Sequence, residues 1–304
     1  MKSNHHKIKT FITGLFASVL TIVAFHAPAY AESITMSPMN QRVVIAPGDS
    51  HSSSFTISNP GTATAPIDYT LSIQSFYVDE NYNSVFGEPG KYSEITEWIT
   101  IDSPKSGSLA PNEAEEVNFT INVPEDAPSG GQYAAIIASI KSPEAPSGTS
   151  IQELPSIAHI IFAEITGETV KQGEITDAEV PSFLLSGNIT ASSTIKNTGN
   201  VHGIATYTLK VTPAFGGEDI YNNEENPEIH TIVPDRTFYN EITVDKTPAM
   251  GFFNVVYTVS FEGVTTEVSK LVIICPIWLL FILALVIIGI IISIVFFLRA
   301  GHRR

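Results

Sequence analysis

Residues 57–73 read Ile-Ser-Asn-Pro-Gly-Thr-Ala-Thr-Ala-Pro-Ile-Asp-Tyr-Thr-Leu-Ser-Ile. Residues 195–211 read Ile-Lys-Asn-Thr-Gly-Asn-Val-His-Gly-Ile-Ala-Thr-Tyr-Thr-Leu-Lys-Val. Aligned without a gap, the two share Ile57/Ile195, Asn59/Asn197, Gly61/Gly199, Tyr69/Tyr207, Thr70/Thr208 and Leu71/Leu209. Each predicts strand, turn, strand. Asn-x-Gly is expected to make the turn because both residue types tolerate positive φ. Tyr-Thr-Leu-x-Ile/Val is a β-rich run whose alternate side chains face one side.

The correspondence continues downstream. Leu109-Ala-Pro111 precedes the alternating run Val117-Asn-Phe119-Thr-Ile121, and Ile232-Val-Pro234 precedes Tyr239-Asn-Glu-Ile242-Thr-Val244. Pro128-Ser-Gly-Gly131 feeds the apolar 133–140, and Pro248-Ala-Met-Gly251 feeds 252–261. The segment 157–165 is a further strand, expected to pair with 133–140 across a long loop. Short strands between turn signals, with no amphipathic helix of useful length, predict an all-β fold. The expected architecture is two tandem immunoglobulin-like β-sandwiches followed by a single transmembrane helix. A lone cysteine rules out a disulfide framework, so each core must hold by packing.

The two ends differ from the middle. Residues 1–31 hold Lys2, Lys7 and Lys9, no acid, an apolar stretch over 11–25 and Ala29-Tyr30-Ala31, which reads as a signal peptide cleaved before Glu32. Residues 271–298 carry no charge and are long enough to cross a bilayer, and Arg299, Arg303 and Arg304 follow in a basic tail at 299–304. The positive tail predicts a single-pass topology with a cytoplasmic C-terminus and the middle outside the cell membrane. The expected domains are 32–168 and 174–270.

The formal charge is −15, from 31 acids and 16 bases. Six of the bases lie at the two ends, so ten remain against all 31 acids in 32–270, a charge of −21. That balance excludes nucleic acid as a partner, since a phosphate backbone needs a basic face.

Chemistry-bearing motifs are few. His51, His159, His202 and His230 are scattered singly, and the chain has no HExxH, CxxC, GxSxG, P-loop or GxGxxG. The reading is therefore non-enzymatic, with no catalytic residue, metal or cofactor assigned. Asp79-Glu-Asn81-Tyr-Asn83 begins like a calcium loop, but Ser84 and Gly90 stand where that pattern needs Gly and Glu, so it reads as a turn. The acidic 216–228 reads as a solvated loop. Trp98 reads as a core residue. Aromatics crowd the 74–98 connection, and Tyr82, Phe86 and Tyr92 are the candidate binding residues, because aromatics stack on sugars and anchor protein partners.

In Ser37-Pro38, Pro47-Gly48, the strand to Asn59, Trp98-Ile99 and Val123-Pro-Glu-Asp-Ala-Pro-Ser-Gly-Gly131, the chain resembles the bacterial WxL-interacting surface proteins. Those have a peptidoglycan-binding-type domain, an immunoglobulin-like domain and a C-terminal membrane anchor. Asn197-Thr-Gly-Asn-Val-His202 is similar to a turn of many surface immunoglobulin-like domains. The resemblance implies an extracellular adaptor for peptidoglycan, another cell-wall polymer or a cell-surface protein. The tandem layout also resembles periplasmic pilus chaperones, which implies an assembly factor as the alternative. A third reading is an accessory subunit of an envelope complex.

Overall fold

The computed structural model describes residues 34–61, 63, 65–141 and 155–301. The expected signal peptide and the end of the basic tail lie outside the described residues.

The first sandwich contains β1 (Thr35–Ser37), β2 (Asn40–Ile45), β3 (Ser50–Ser58), β4 (Ile67–Val78), β5 (Ser84–Phe86), β6 (Ile99–Ile101), β7 (Ser106–Leu109), β8 (Ala114–Asn122), β9 (Gly130–Ile140) and β10 (Ser156–Ile165). One sheet runs β1-β3-β8-β6, the other β2-β10-β9-β4-β5, with β7 also on β4. Alternation places Phe55, Ile57, Val117, Phe119 and Ile121 of one sheet against Tyr69, Leu71, Ala134, Ile136 and Ala138 of the other, all buried. Trp98 packs against this core at its rim. β9 and β10 pair antiparallel in the expected hairpin.

The second sandwich contains β11 (Gly173–Glu179), β12 (Phe183–Leu184), β13 (Thr190–Asn197), β14 (Gly203–Pro213), β15 (Tyr221–Asn222), β16 (Glu228–Ile232), β17 (Thr237–Thr243), β18 (Gly251–Phe261) and β19 (Val264–Ile274). Its sheets run β11-β13-β17 and β12-β19-β18-β14-β15, with β16 also on β14. In both sandwiches the opening stretch is divided between the two sheets. β1 and β11 join one sheet antiparallel, and β2 and β12 join the other parallel to its last strand. No local signal announces those parallel pairs, which link residues more than 80 positions apart.

The repeated Asn-x-Gly works differently from the sequence expectation. Neither Gly61 nor Gly199 has positive φ; the left-handed residues are Asn112 and Asp235, in the two proline turns. What the repeat conserves is a buried carboxamide. Asn59 Nδ2 donates to Ala65 O at 2.9 Å and Leu109 O at 3.0 Å. Asn197 Nδ2 donates to Val201 O at 2.9 Å and Ile232 O at 2.8 Å. Each asparagine thus ties its own turn to the proline turn across the sandwich. Glycine at 199 answers to space: a Cβ there would sit 2.1 Å from Val170 O.

The uncharged run begins at Leu271, but the helix does not. Val272 and Ile274 alternate into the second core, held by β18 on one side and β12 on the other. Pro276, which cannot extend a ladder, ends the strand, and its carbonyl accepts from Leu279 N–H at 2.9 Å. Helix α1 (Ile277–Gly301) follows. Its segment Ile277–Val295, mean hydropathy 3.2, is long and apolar enough to cross a membrane.

Replacing Asn197 with Ala leaves the buried carbonyls of Val201 and Ile232 without their donor. We expect a loss of about 2–4 kcal/mol in urea unfolding of the second sandwich; a loss below about 0.5 kcal/mol would refute the bracing role.

Candidate functional site

The aromatic 74–98 connection lies against the second sandwich, and the crevice between the sandwiches is the most elaborated site among the described residues. The turn after β4 begins with Asp79. Its Oδ1 accepts from Asn81 N–H at 2.9 Å and Asn83 N–H at 2.8 Å, and its Oδ2 from Asn83 Nδ2 at 3.0 Å. The Asn83 side chain, then the backbone donors, hold this carboxylate below the usual range. The calcium-like acids thus form a turn, which holds Tyr82 at φ 63° and sends its side chain across the crevice.

Tyr82 Oη donates to Thr231 O at 2.8 Å and accepts from Val233 N–H at 3.2 Å, while its ring lies 4.6 Å from Phe238. Burial pushes this hydroxyl up to about 12. Tyr92 Oη donates to Asp235 Oδ2 at 2.9 Å, and Lys91 Nζ, 4.7 Å above the Tyr92 ring, meets the same oxygen at 2.8 Å. These two donors, Lys91 first, hold the Asp235 carboxyl below its ordinary value. Arg236 Nε donates to Val78 O at 2.8 Å, and an Arg42 guanidinium nitrogen donates to Thr231 Oγ1. Phe86, opposite Phe76 on β4, sits one layer back with ring centroids 5.5 Å apart. The three candidate binding residues are therefore gathered at one place. Tyr82 and Tyr92 touch the second sandwich directly, and Phe86 supports the cluster behind Tyr82.

Val233 enters an apolar cluster of Phe76, Val78, Tyr133, Ala135, Ile137 and Phe162. Two clefts flank it. One, of about 190 Å³, is lined by Tyr77, Lys91, Tyr92, Tyr133, Asp235 and Arg236. The other, of about 280 Å³, is lined by Arg42, Phe76, Tyr82, Phe162, His230 and Thr231. The turn motifs quoted for the family resemblance also meet here. Gly131 N–H donates to Asn200 O at 2.8 Å, and a Cβ on Gly130 would lie 2.8 Å from that same oxygen. Asn200 in turn ties down the segment between the sandwiches, accepting from Val170 N–H at 2.7 Å and donating to Glu168 O at 2.9 Å.

The chain is similar in fold to fimbrial chaperones. No family model matches it and no curated protein matches it. Among solved structures, the Class 5 fimbriae chaperone CfaA is 13% identical, over 78% of this chain and 99% of that one, with a TM-score of 0.37. The E. coli chaperone DraB is 16% identical, over 78% and 97%, with a TM-score of 0.38. The Pseudomonas aeruginosa CupB2 chaperone is 11% identical, over 77% and 98%, with a TM-score of 0.33.

The remaining histidines stay apart. His159 is buried against Phe55, its Nδ1 2.8 Å from Pro38 O, and His230 Nε2 lies 2.7 Å from Glu228 Oε1. Among the described residues no three His, Cys, Asp or Glu converge as metal ligands. The acidic loop folds back on β14, where Lys210 meets Glu224 at 3.2 Å and Asp219 at 3.9 Å.

Sequence reasoning counted His202 among the scattered histidines and missed its place at the joint. Its ring packs edge-on to Tyr133, at 5.8 Å, and against Phe162, at 5.5 Å, and is 8% exposed. Burial lowers its pKa to about 4; Arg42 and Lys171 act the same way and Glu164 opposes. The signal was present in the repeat, where His202 follows the conserved turn, but nothing local marks it as a joint residue.

Two outcomes follow for the joint. Tyr82→Phe strips the acceptor from Val233 N–H and the donor from Thr231 O, and should cost about 1–3 kcal/mol in thermal unfolding. An unchanged midpoint would show that the contact is idle. His202 stays neutral in the fold to about pH 4, whereas in the unfolded chain it protonates below about 6.5. The unfolded state binds more protons inside that window, so stability falls with pH from about 6.5 to 4, by up to about 3 kcal/mol. Urea unfolding of His202→Phe should show that much less pH dependence than the parent.

Proposed function

We propose that this chain is a non-enzymatic, single-pass surface protein whose sandwiches form one binding unit held outside the membrane. In this reading residues 1–31 direct export and 32–168 and 174–270 build the outer sandwiches, with β19 carrying the second on to Ile274. Helix α1 crosses the bilayer and the 299–304 tail stays cytoplasmic.

The observation that carries the binding reading is the edge of β17, which no other strand covers among the described residues. In the first sandwich the equivalent strand β8 is covered by β6, through Ile99↔Ile121 and Ile101↔Phe119. In the second, the sheet ends at β17. Val244 N–H donates to Ile189 O at 2.9 Å and Arg236 O accepts from Asn197 N–H at 3.0 Å, so even-numbered residues of this strand bond toward β13. By the alternation of an antiparallel ladder, the N–H and C=O groups of Tyr239, Glu241 and Thr243 point away from the sheet. Such a row accepts an added strand from a partner. This favours a protein ligand over peptidoglycan or another wall polymer, and agrees with an adaptor of the kind the WxL-interacting resemblance implies. A pilus-chaperone-like assembly factor would hold a client strand at an edge of the same kind.

The test is capture of extracellular protein by the full chain in detergent, beside purified wall. Glu241→Pro removes one outward donor and no ladder bond, and should cut protein capture by about tenfold, or ~1.4 kcal/mol. The unfolding midpoint reports whether the sheet survives. Undiminished capture by Glu241→Pro would remove the edge from the reading, and retention on wall alone would replace the protein ligand with a polymer.

A further inference from the structure

The end of the second sandwich nearest α1 has a surface unlike the rest of the chain. Phe183 of β12 stands opposite Ile273 of β19, which stands opposite Phe252 of β18. Cross-strand partners share a face, and the neighbouring Val272, Ile274 and Phe253 fill the core, so this row points outward. Ala214 N–H continues it, donating to Phe252 O at 2.8 Å, and the ring of Phe215, 88% exposed, packs edge-on against Phe252 at 5.6 Å. Leu185 and Met250 are exposed at the same tip, next to residues paired with Ile274.

Charge avoids this end. The segments 180–195, 211–217, 247–261 and 271–298 contain no Asp, Glu, Lys or Arg, although 32–270 as a whole carries −21. Asp245 and Lys246, in the turn before β18, carry opposite signs. Glu218 and Asp219 follow Gly217, and Asp219 lies toward Lys210, away from the tip.

The connection to the helix sets the distance. Cys275 N–H donates to Leu184 O at 2.9 Å, so the strand-like register persists to Cys275. Only Pro276 then separates the sheet from Ile277. One or two residues span at most about 7 Å, comparable to the ~5–8 Å depth of the headgroup layer on each side of a bilayer. The 25 residues of α1 extend about 37 Å against a hydrocarbon thickness of about 30 Å. Trp278, half-exposed one turn below the sheet, suits the interface. With α1 across the bilayer, the tip has no slack to stand clear of the headgroups.

We propose that this apolar tip is a second membrane contact: Phe183, Phe215, Phe252, Leu185 and Met250 enter the headgroup–acyl boundary of the outer leaflet and fix the sandwich against the bilayer. The proposal rests on the reading of α1 as a membrane span. Lipid is the occupant because the patch is continuous with that helix, is uncharged and is built of Phe, Leu and Met, apolar side chains of the kind that bury at the headgroup–acyl boundary.

The experiment uses the full chain in nanodiscs, in a Cys275→Ser background, with a spin label at Phe215→Cys, Ile287→Cys or Ser52→Cys. Collision with aqueous nickel chelate and with oxygen reports depth. The expected result is a label at 287 shielded from nickel in the hydrocarbon, a label at 215 shielded several-fold relative to 52, and a label at 52 in water. If 287 is shielded and 215 is as open to nickel as 52, the tip contact is overturned while the span stands. If 287 is open to nickel, the span fails and the contact with it. Shielding of 215 only in discs holding two copies would assign the patch to a second chain and overturn the lipid contact.

Discussion

The buried carboxamide of Asn197 is the constraint from which the arrangement of this molecule follows. By holding Ile232 O at 2.8 Å and Val201 O at 2.9 Å, it fixes the turn at 232–236 against the turn at 197–202. Both turns then face the first sandwich. Thr231, Val233, Asp235 and Arg236 supply its contacts from one, and Asn200 and His202 from the other. Asn59 performs the same bracing in the first sandwich, on Leu109 O. One local device, written twice, therefore has a packing role in both copies and a joint-forming role in one.

The joint combines interactions of different strength. Val233 and the aromatic cluster around Tyr133 exclude water. Tyr82 and His202 place polar atoms inside that dry region, where a hydrogen bond made is modest and one lost is expensive. The Lys91–Asp235 pair, with side chains 70% and 54% exposed, adds direction more than stability. The sandwiches thus pack against each other through one joint, and β19, bonded on both sides almost to the start of α1, carries the second sandwich directly on to the helix.

The 74–98 connection shows how a chemical signal in the sequence acquires a different meaning in the fold. Its aromatics are concentrated because they serve a surface that needs large, stiff side chains with polar ends. In the fold that surface meets the chain's own second sandwich. Asp79 and Asn83 look like cation ligands because a turn and a calcium loop both need short oxygen-bearing side chains, and here the oxygens are taken by the turn's own donors. Trp98 lies on the core, as its strand context suggests.

The sequence by itself determined the strands, the duplicated order of the two sandwiches, the β9–β10 hairpin and the long apolar helix. These follow from periodicity, turn chemistry and apolar length, which are local properties of a chain. It also marked Tyr82, Phe86 and Tyr92 as a group. Tertiary structure alone decided that Leu271 and its neighbours continue a strand, because Val272 and Ile274 find a core to fill. It decided that β2 and β12 lie parallel to the last strands, that β17 ends its sheet among the described residues, and that His202 is buried between domains. Each of these depends on which distant backbone or side chain arrives alongside, and that information is held in the packing of two sheets rather than in any short stretch of residues.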